Sequence, residues 1–140
     1  MGVTGYLIDK SALARMHLDP VAARLEPLMN RGLVSMCGVT ELEVLSSARK
    51  IDQRARMKRQ LAESMNRVET PTDVWQRAAE IQEALTEKGQ HRSAGIADLV
   101  IAATAQARRL TVLHYDRDFD TIALFTEQPV EWVVPAGSVP

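Results

Sequence analysis

The chain has one cysteine, no long apolar run and almost no net charge, and each shortage removes a class of protein. Cys37, within Val34-Ser35-Met36-Cys37-Gly38, has no partner for an internal disulfide, so nothing points to an oxidising compartment and a buried, inert thiol is expected. The longest apolar stretch, Leu99 to Ala105, is far too short to span a bilayer. The opening Met1-Gly2-Val3-Thr4-Gly5-Tyr6 has neither the basic start nor the apolar centre of a leader, and Tyr6 stands where a myristoylation pattern wants Ser or Thr. A cytoplasmic protein without membrane attachment is expected. Against 18 acidic residues stand 17 basic ones, a net charge of −1, so any surface that attracts nucleic acid must come from segregated charge. G-x-S-x-G, G-x-G-x-x-G and G-x-x-x-x-G-K-[ST] are all absent, which leaves a serine hydrolase or nucleotide-binding domain without support. His17, His91 and His114 are too scattered for a zinc motif, and His114, inside an apolar run, reads as a packed, hydrogen-bonded residue.

What is present is apolar material in alternating strand-like and helix-like segments. With 46% hydrophobic side chains in 140 residues, a single domain over 1–140 is expected to bury a real core. Tyr6-Leu7-Ile8 reads as a strand, Ser11 to Met16 as a helix, and Pro20 opens a second helix carrying Val21, Leu25 and Leu28, closed by Gly32. Leu33 to Cys37 is the second strand. Thr40 begins a third helix, a basic helix follows from about 52 to 67, and Val68-Glu69-Thr70 is a marginal strand. Pro71-Thr72-Asp73 starts a long helix with Val74, Ala78, Ile81 and Leu85 on one face, and His91 to Gly95 is loop. Then come an apolar helix from Ile96 to Arg109, a strand from Leu110 to Tyr115, a short helix from Phe119 to Phe125 and a last strand from Val130 to Val134. This alternation predicts an α/β fold, a three-layer α/β/α sandwich around a parallel sheet of four to five strands.

Four carboxylates stand out on that frame. Asp9 and Asp116 each follow a strand, while Glu43 and Asp98 each lie near the start of a helix. Ligands of parallel sheets bind beyond the carboxyl ends of the strands. Acids gathered there, roughly 6 Å apart at an effective dielectric of about 20, repel by about 3 kcal/mol per pair and call for a cation. A hard divalent ion, Mg²⁺ or Mn²⁺, is the natural occupant, and phosphate esters are its usual substrates. Each acid also has an ordinary reading as a helix cap: Asp9 with Ser11, Thr40 with Glu43 as a capping box, Asp98 in a first helical turn, and Asp116-Arg117-Asp118 as a capped turn. The run from Arg49 to Arg59 carries Arg49, Lys50, Arg54, Arg56, Lys58 and Arg59 against Asp52 alone, enough to hold a phosphate backbone. Lys10, Arg15, Arg92 and Arg117, each near one of the acids in sequence, would add to it.

The segments Tyr6-Leu7-Ile8-Asp9-Lys10-Ser11-Ala12-Leu13, Val39-Thr40-Glu41-Leu42-Glu43-Val44-Leu45, Ile96-Ala97-Asp98-Leu99-Val100-Ile101-Ala102-Ala103 and Val112-Leu113-His114-Tyr115-Asp116-Arg117-Asp118-Phe119 resemble, in that order, a PIN domain of the VapC toxin kind. The resemblance implies catalytic acids at Asp9, Glu43, Asp98 and Asp116, with Asp118 accessory and Glu41 the rival of Glu43. It implies Mg²⁺ on Asp9, Asp98 and Asp116, Ser11 steadying Asp9, and Glu43 orienting or deprotonating a water that attacks RNA (tRNA, rRNA or mRNA) to leave a 5′-phosphate and a 3′-hydroxyl. It further implies a VapB-like antitoxin in a groove walled by residues such as Leu13, Met16, Leu42, Leu45, Met57 and Leu61, and a homodimer or a hetero-oligomer with the antitoxin. The alternative is a non-catalytic PIN-like module that binds RNA or protein. Lys10 departs from the Thr or Ser that often follows the first acid of the family.

Overall fold

Successive residues of the central strands turn to opposite faces of the sheet, and in this chain both faces are apolar. Residues 5–140 are described in the computed structural model; residues 1–4, on which much of the reading of the N-terminus falls, lie outside them. Strand β1 (Tyr6–Ile8) sends Leu7 into one core and Ile8 into the other. Val112 and Leu113 of β4 (Thr111–His114) divide in the same way. With β2 (Val34–Met36), β3 (Asn66–Arg67) and β5 (Val130–Trp132) they make a five-stranded parallel sheet in the order β3-β2-β1-β4-β5.

Helices cover both faces, as the alternating pattern predicts. The first core packs Leu7 and Val112 against α5 (Val74–Glu87), α6 (Ile96–Arg108) and α7 (Arg117–Thr126). The second packs Ile8, Val34, Met36 and Leu113 against α1 (Lys10–Leu13) and α2 (Asp19–Asn30). All residues from Leu99 to Ala105 are buried, which explains why this helix is apolar all round: it has no solvent face along that stretch. No helix among the described residues is long and apolar enough to cross a membrane.

Several boundaries differ from the sequence reading. The third helix, α3 (Gly38–Leu45), begins at Gly38 rather than Thr40, so Thr40 is interior and its hydroxyl donates to the Ile8 carbonyl at 3.4 Å instead of capping. The basic helix α4 ends earlier than expected (Ile51–Ser64), and the marginal strand lies at Asn66–Arg67 rather than Val68 to Thr70. Both residues of that strand are exposed at the sheet edge, where an apolar pattern is not required. The first helix is one turn long.

Candidate active site

The order of the sheet reverses between β1 and β4, since β2 and β3 lie to one side of β1 while β4 and β5 lie to the other. Beyond the carboxyl ends of two such strands a crevice opens. Asp9 directly follows β1, its own N–H donating to the Leu113 carbonyl at 2.9 Å, and Asp116 lies just past β4. Both serve as helix caps: Asp9 accepts from the Ser11 N–H at 3.0 Å and Asp116 from the Asp118 N–H at 2.9 Å. Asp98, in the first turn of α6, accepts from the Gly95 N–H at 3.0 Å. Asp98 and Asp116 are thus both caps and members of a carboxylate cluster, while Asp9 is a cap beside it. A cap fixes each carboxylate in position, and the topology brings the caps to one edge.

Asp98, Asp116 and Asp118 each offer an oxygen within 4.8 Å of the others. Asp118, expected only as an accessory, is thus a full member. Asp9 stands outside this trio, almost wholly buried, yet close enough that its charge acts on Asp98. Burial above all raises the Asp98 carboxyl to about 6; the Gly95 N–H opposes the rise, and the charges of Asp9, Asp116 and Asp118 add to it. Asp118 is raised as well, by burial and then by Asp116. This trio has the charge and the oxygen donors that a hard divalent cation takes, and an ion there would offset the repulsion among its charges.

Glu43 sits on α3 with one carboxylate oxygen 3.5 Å from the Lys10 ammonium, and its Oε1 is buried without a hydrogen-bond partner. Glu41, the rival of Glu43, is engaged at the sheet edge: its carboxylate accepts from Arg67 at 2.6 Å, tying α3 to β3. Ser11 holds Asp9 through its main-chain N–H, while its hydroxyl accepts from the Tyr115 N–H at 2.9 Å and so ties the ends of β1 and β4. His114 is fully buried, and its Nδ1 accepts from the Asp116 N–H at 3.1 Å, leaving the proton of the neutral ring on Nε2. Burial lowers its pKa against the pull of Asp120, Asp9 and Asp116, so it supports Asp116 as a neutral ring.

The basic residues divide into two groups. Lys10, Arg15 and Arg117 line an open cleft of about 720 Å³ that borders Asp116. Arg15 is also engaged structurally, donating to the Ser11 and Pro140 carbonyls and lying 4.6 Å over the Tyr115 ring. Arg49, Arg54, Arg56 and Lys58 sit at or near α4, with Arg56 3.5 Å from Asp52, and Arg92 lies on the exposed loop before α6. Sequence reasoning passed over Trp132 and Asp120, which also border this region; only the register that pairs His114 with Trp132 brings them there.

A family model described as PIN domain matches residues 6–124. Ribonuclease VapC21 of Mycobacterium tuberculosis is 53% identical over 135 residues, 96% of this chain and 98% of that protein. Ribonuclease VapC51 of the same organism is 40% identical, covering 96% of each. Among solved structures, DNA-bound VapBC from Salmonella typhimurium superposes with a TM-score of 0.75 over 94% of this chain and 100% of that one, at 14% identity, a likeness of fold.

Proposed function

The chain belongs to the PIN-domain family, among its VapC ribonucleases, and on that footing we propose that it is the endoribonuclease toxin of a toxin–antitoxin pair, dependent on Mg²⁺ or Mn²⁺. The observation that carries this reading is the trio Asp98, Asp116 and Asp118, mutually within 4.8 Å at the reversal of strand order. These residues would hold the ion, with Asp9 adding charge from beside them. When bound, the ion supplies charge neutralisation at the scissile phosphate and a lowered pKa for a bound water.

The chain's own groups would do the rest. Glu43, with one oxygen held near Lys10 and the other buried and unpartnered, is the group to orient the attacking water and take its proton. Lys10 can turn from Glu43 to the phosphate, a short move for a flexible ammonium. Ser11 ties the ends of β1 and β4 together and His114 holds the Asp116 main chain, so that Asp9 and Asp116 stay aligned. In-line attack then leaves a 5′-phosphate and a 3′-hydroxyl. The basic face of α4, with Arg54 and Lys58, would add phosphate contacts sensitive to salt.

The partner reading is a VapB-like antitoxin. Leu13, Met16, Met57 and Leu61, with Met29, Val44 and Met65, line a largely apolar groove of about 420 Å³ between α1, α2, α3 and α4. Of the expected walls, Leu45 belongs to the core and Leu42 points to solvent, 62% exposed.

The test is incubation of the purified chain with total RNA, with Mg²⁺ or with excess chelator, and analysis of the cut ends. Cleavage with Mg²⁺ that stops on chelation, leaving 5′-phosphates, is expected; Mg²⁺-loaded protein that binds RNA without cutting it would favour the non-catalytic module. Ion binding should also depend on pH. The Asp98 carboxyl, with its pKa of about 6, must lose its proton to serve as ligand, so affinity measured by calorimetry rises from acid pH and levels off above that value, by up to about tenfold per unit. A flat profile across this range would remove Asp98 from the ligand set.

A further inference from the structure

The cleft beside Asp116 carries aromatic surface as well as charge, and its aromatic groups have already used their polar atoms. Trp132 lines it, half-buried, with its indole N–H donating to both oxygens of Asp120, at 3.1 and 3.0 Å. Tyr115 lines it too, its hydroxyl donating to the Val139 carbonyl at 2.8 Å and accepting from the Val139 N–H at 3.1 Å. The two rings meet edge to face, 5.2 Å between centroids and 86° between planes, so neither turns freely. Arg15 lies 4.6 Å over the Tyr115 ring, so what the pair offers a ligand is the ring surface of Trp132, without a hydrogen-bond code. Around that surface stand three cations, Lys10, Arg15 and Arg117, and the one acid in the lining is Asp116 of the candidate active site. A rigid aromatic wall edged by cations is the chemistry that takes an unpaired nucleotide, with the base stacked and the phosphate neutralised.

We propose that Trp132, braced by Tyr115 and held by Asp120, seats the base of the unpaired nucleotide adjoining the scissile phosphate, with Lys10 and Arg117 on the flanking phosphates. The proposal rests on the ribonuclease reading and deepens it by naming the residue that takes the base; a base paired and stacked within a duplex cannot reach the ring, which gives the proposal its test. Since the polar ends of both aromatics are occupied, the seat is tolerant of base identity. Asp120 acts through Trp132 and is a positioning residue. Lys10, 3.5 Å from Glu43 and part of the cleft lining, is the point where the seat and the catalytic acids meet.

The test uses fluorescence in a Trp75→Phe protein, which leaves Trp132 the sole tryptophan; Trp75 is exposed on α5 and has no part in the site. A short unstructured RNA oligonucleotide, titrated without divalent ion, should quench Trp132 saturably, whereas the same sequence as a perfect duplex should not. Trp132→Leu should weaken binding of the single strand by about five- to 150-fold, with Trp132→Phe recovering most of it. Cleavage by the Trp75→Phe protein with Mg²⁺ is followed in parallel. Cleavage together with RNA binding that leaves Trp132 emission unchanged overturns the seat and spares the ribonuclease reading. Equal quenching by duplex also overturns it. If no RNA is bound or cut, the ribonuclease reading falls and the seat falls with it.

Discussion

Asp98→Asn should abolish RNA cleavage while leaving the ion-free chain at least as stable as the wild type. The substitution takes a charged ligand from the trio and keeps its shape. Loss of an ion's charge stabilisation is worth several kcal/mol, so activity should fall by at least about a hundredfold. Stability moves the other way. The folded chain holds the Asp98 proton up to a pKa of about 6, above the ordinary 3.8, so folding costs nothing at this group when it is protonated in both states. The cost grows as pH rises from 3.8 to about 6 and is full above that. Asp98→Asn should therefore raise the unfolding midpoint in urea at neutral pH and change it little near pH 4. Asp9→Asn should also abolish cleavage. Undiminished cleavage by either variant would remove that residue from the site; destabilisation at neutral pH would mean that Asp98 serves α6 chiefly as a cap.

The second large effect concerns restraint by a partner. Co-expressed with the small protein expected beside it, the chain should be recovered as a complex that cuts RNA far more slowly than the free chain. The apolar groove borders the site closely: Leu13 belongs to the helix that Asp9 caps, and Val44 follows Glu43 in sequence. A side chain of the partner reaching past the groove would meet uncompensated acids, and an Arg would fit them in the absence of a metal ion. Leu61→Glu, which puts a charge on the half-buried wall, should weaken the complex by about 2 kcal/mol or more, roughly thirtyfold, and leave cleavage by the free chain unchanged. A complex as active as the free chain would sink this account of restraint, and Leu61→Glu complexes of undiminished affinity would move the partner off the groove.

Much of this architecture was legible in the sequence for simple reasons. Apolar runs read as strands because β1, β2 and β4 are covered on both sides, and the run from Leu99 to Ala105 read as an apolar helix because its single polar residue, Thr104, turns its hydroxyl back to the Val100 carbonyl. Asp9, Asp98 and Asp116 were legible because strand ends and helix starts recur in an α/β chain, whereas Glu43, expected near a helix start, falls in the last turn of α3, and Asp9 lies beside rather than within the trio of Asp98, Asp116 and Asp118. β3 was misplaced because Asn66 and Arg67 sit at an exposed edge and carry no apolar signal. Thr40 misled because its hydroxyl turns inward to the Ile8 carbonyl, a tertiary bond that competes with a capping box and leaves no trace in spacing. Asp118 could not be ranked against Asp9 by motif, since which carboxylates share a single point depends on side-chain geometry. Trp132 and Asp120 come together only when β5 closes against β4.

Carboxylates from the start of α6 and the end of β4 are expected to hold one divalent ion together. Calorimetric titration of Mn²⁺ into the chain at neutral pH, repeated with Asp98→Asn and with Asp116→Asn, tests this most directly. Saturable binding is expected in the wild type, with affinity lower by about tenfold or more in each variant, about 1.4 kcal/mol at the least. Absence of saturable binding in the wild type, or variants that bind Mn²⁺ as tightly as it does, would contradict a shared ion.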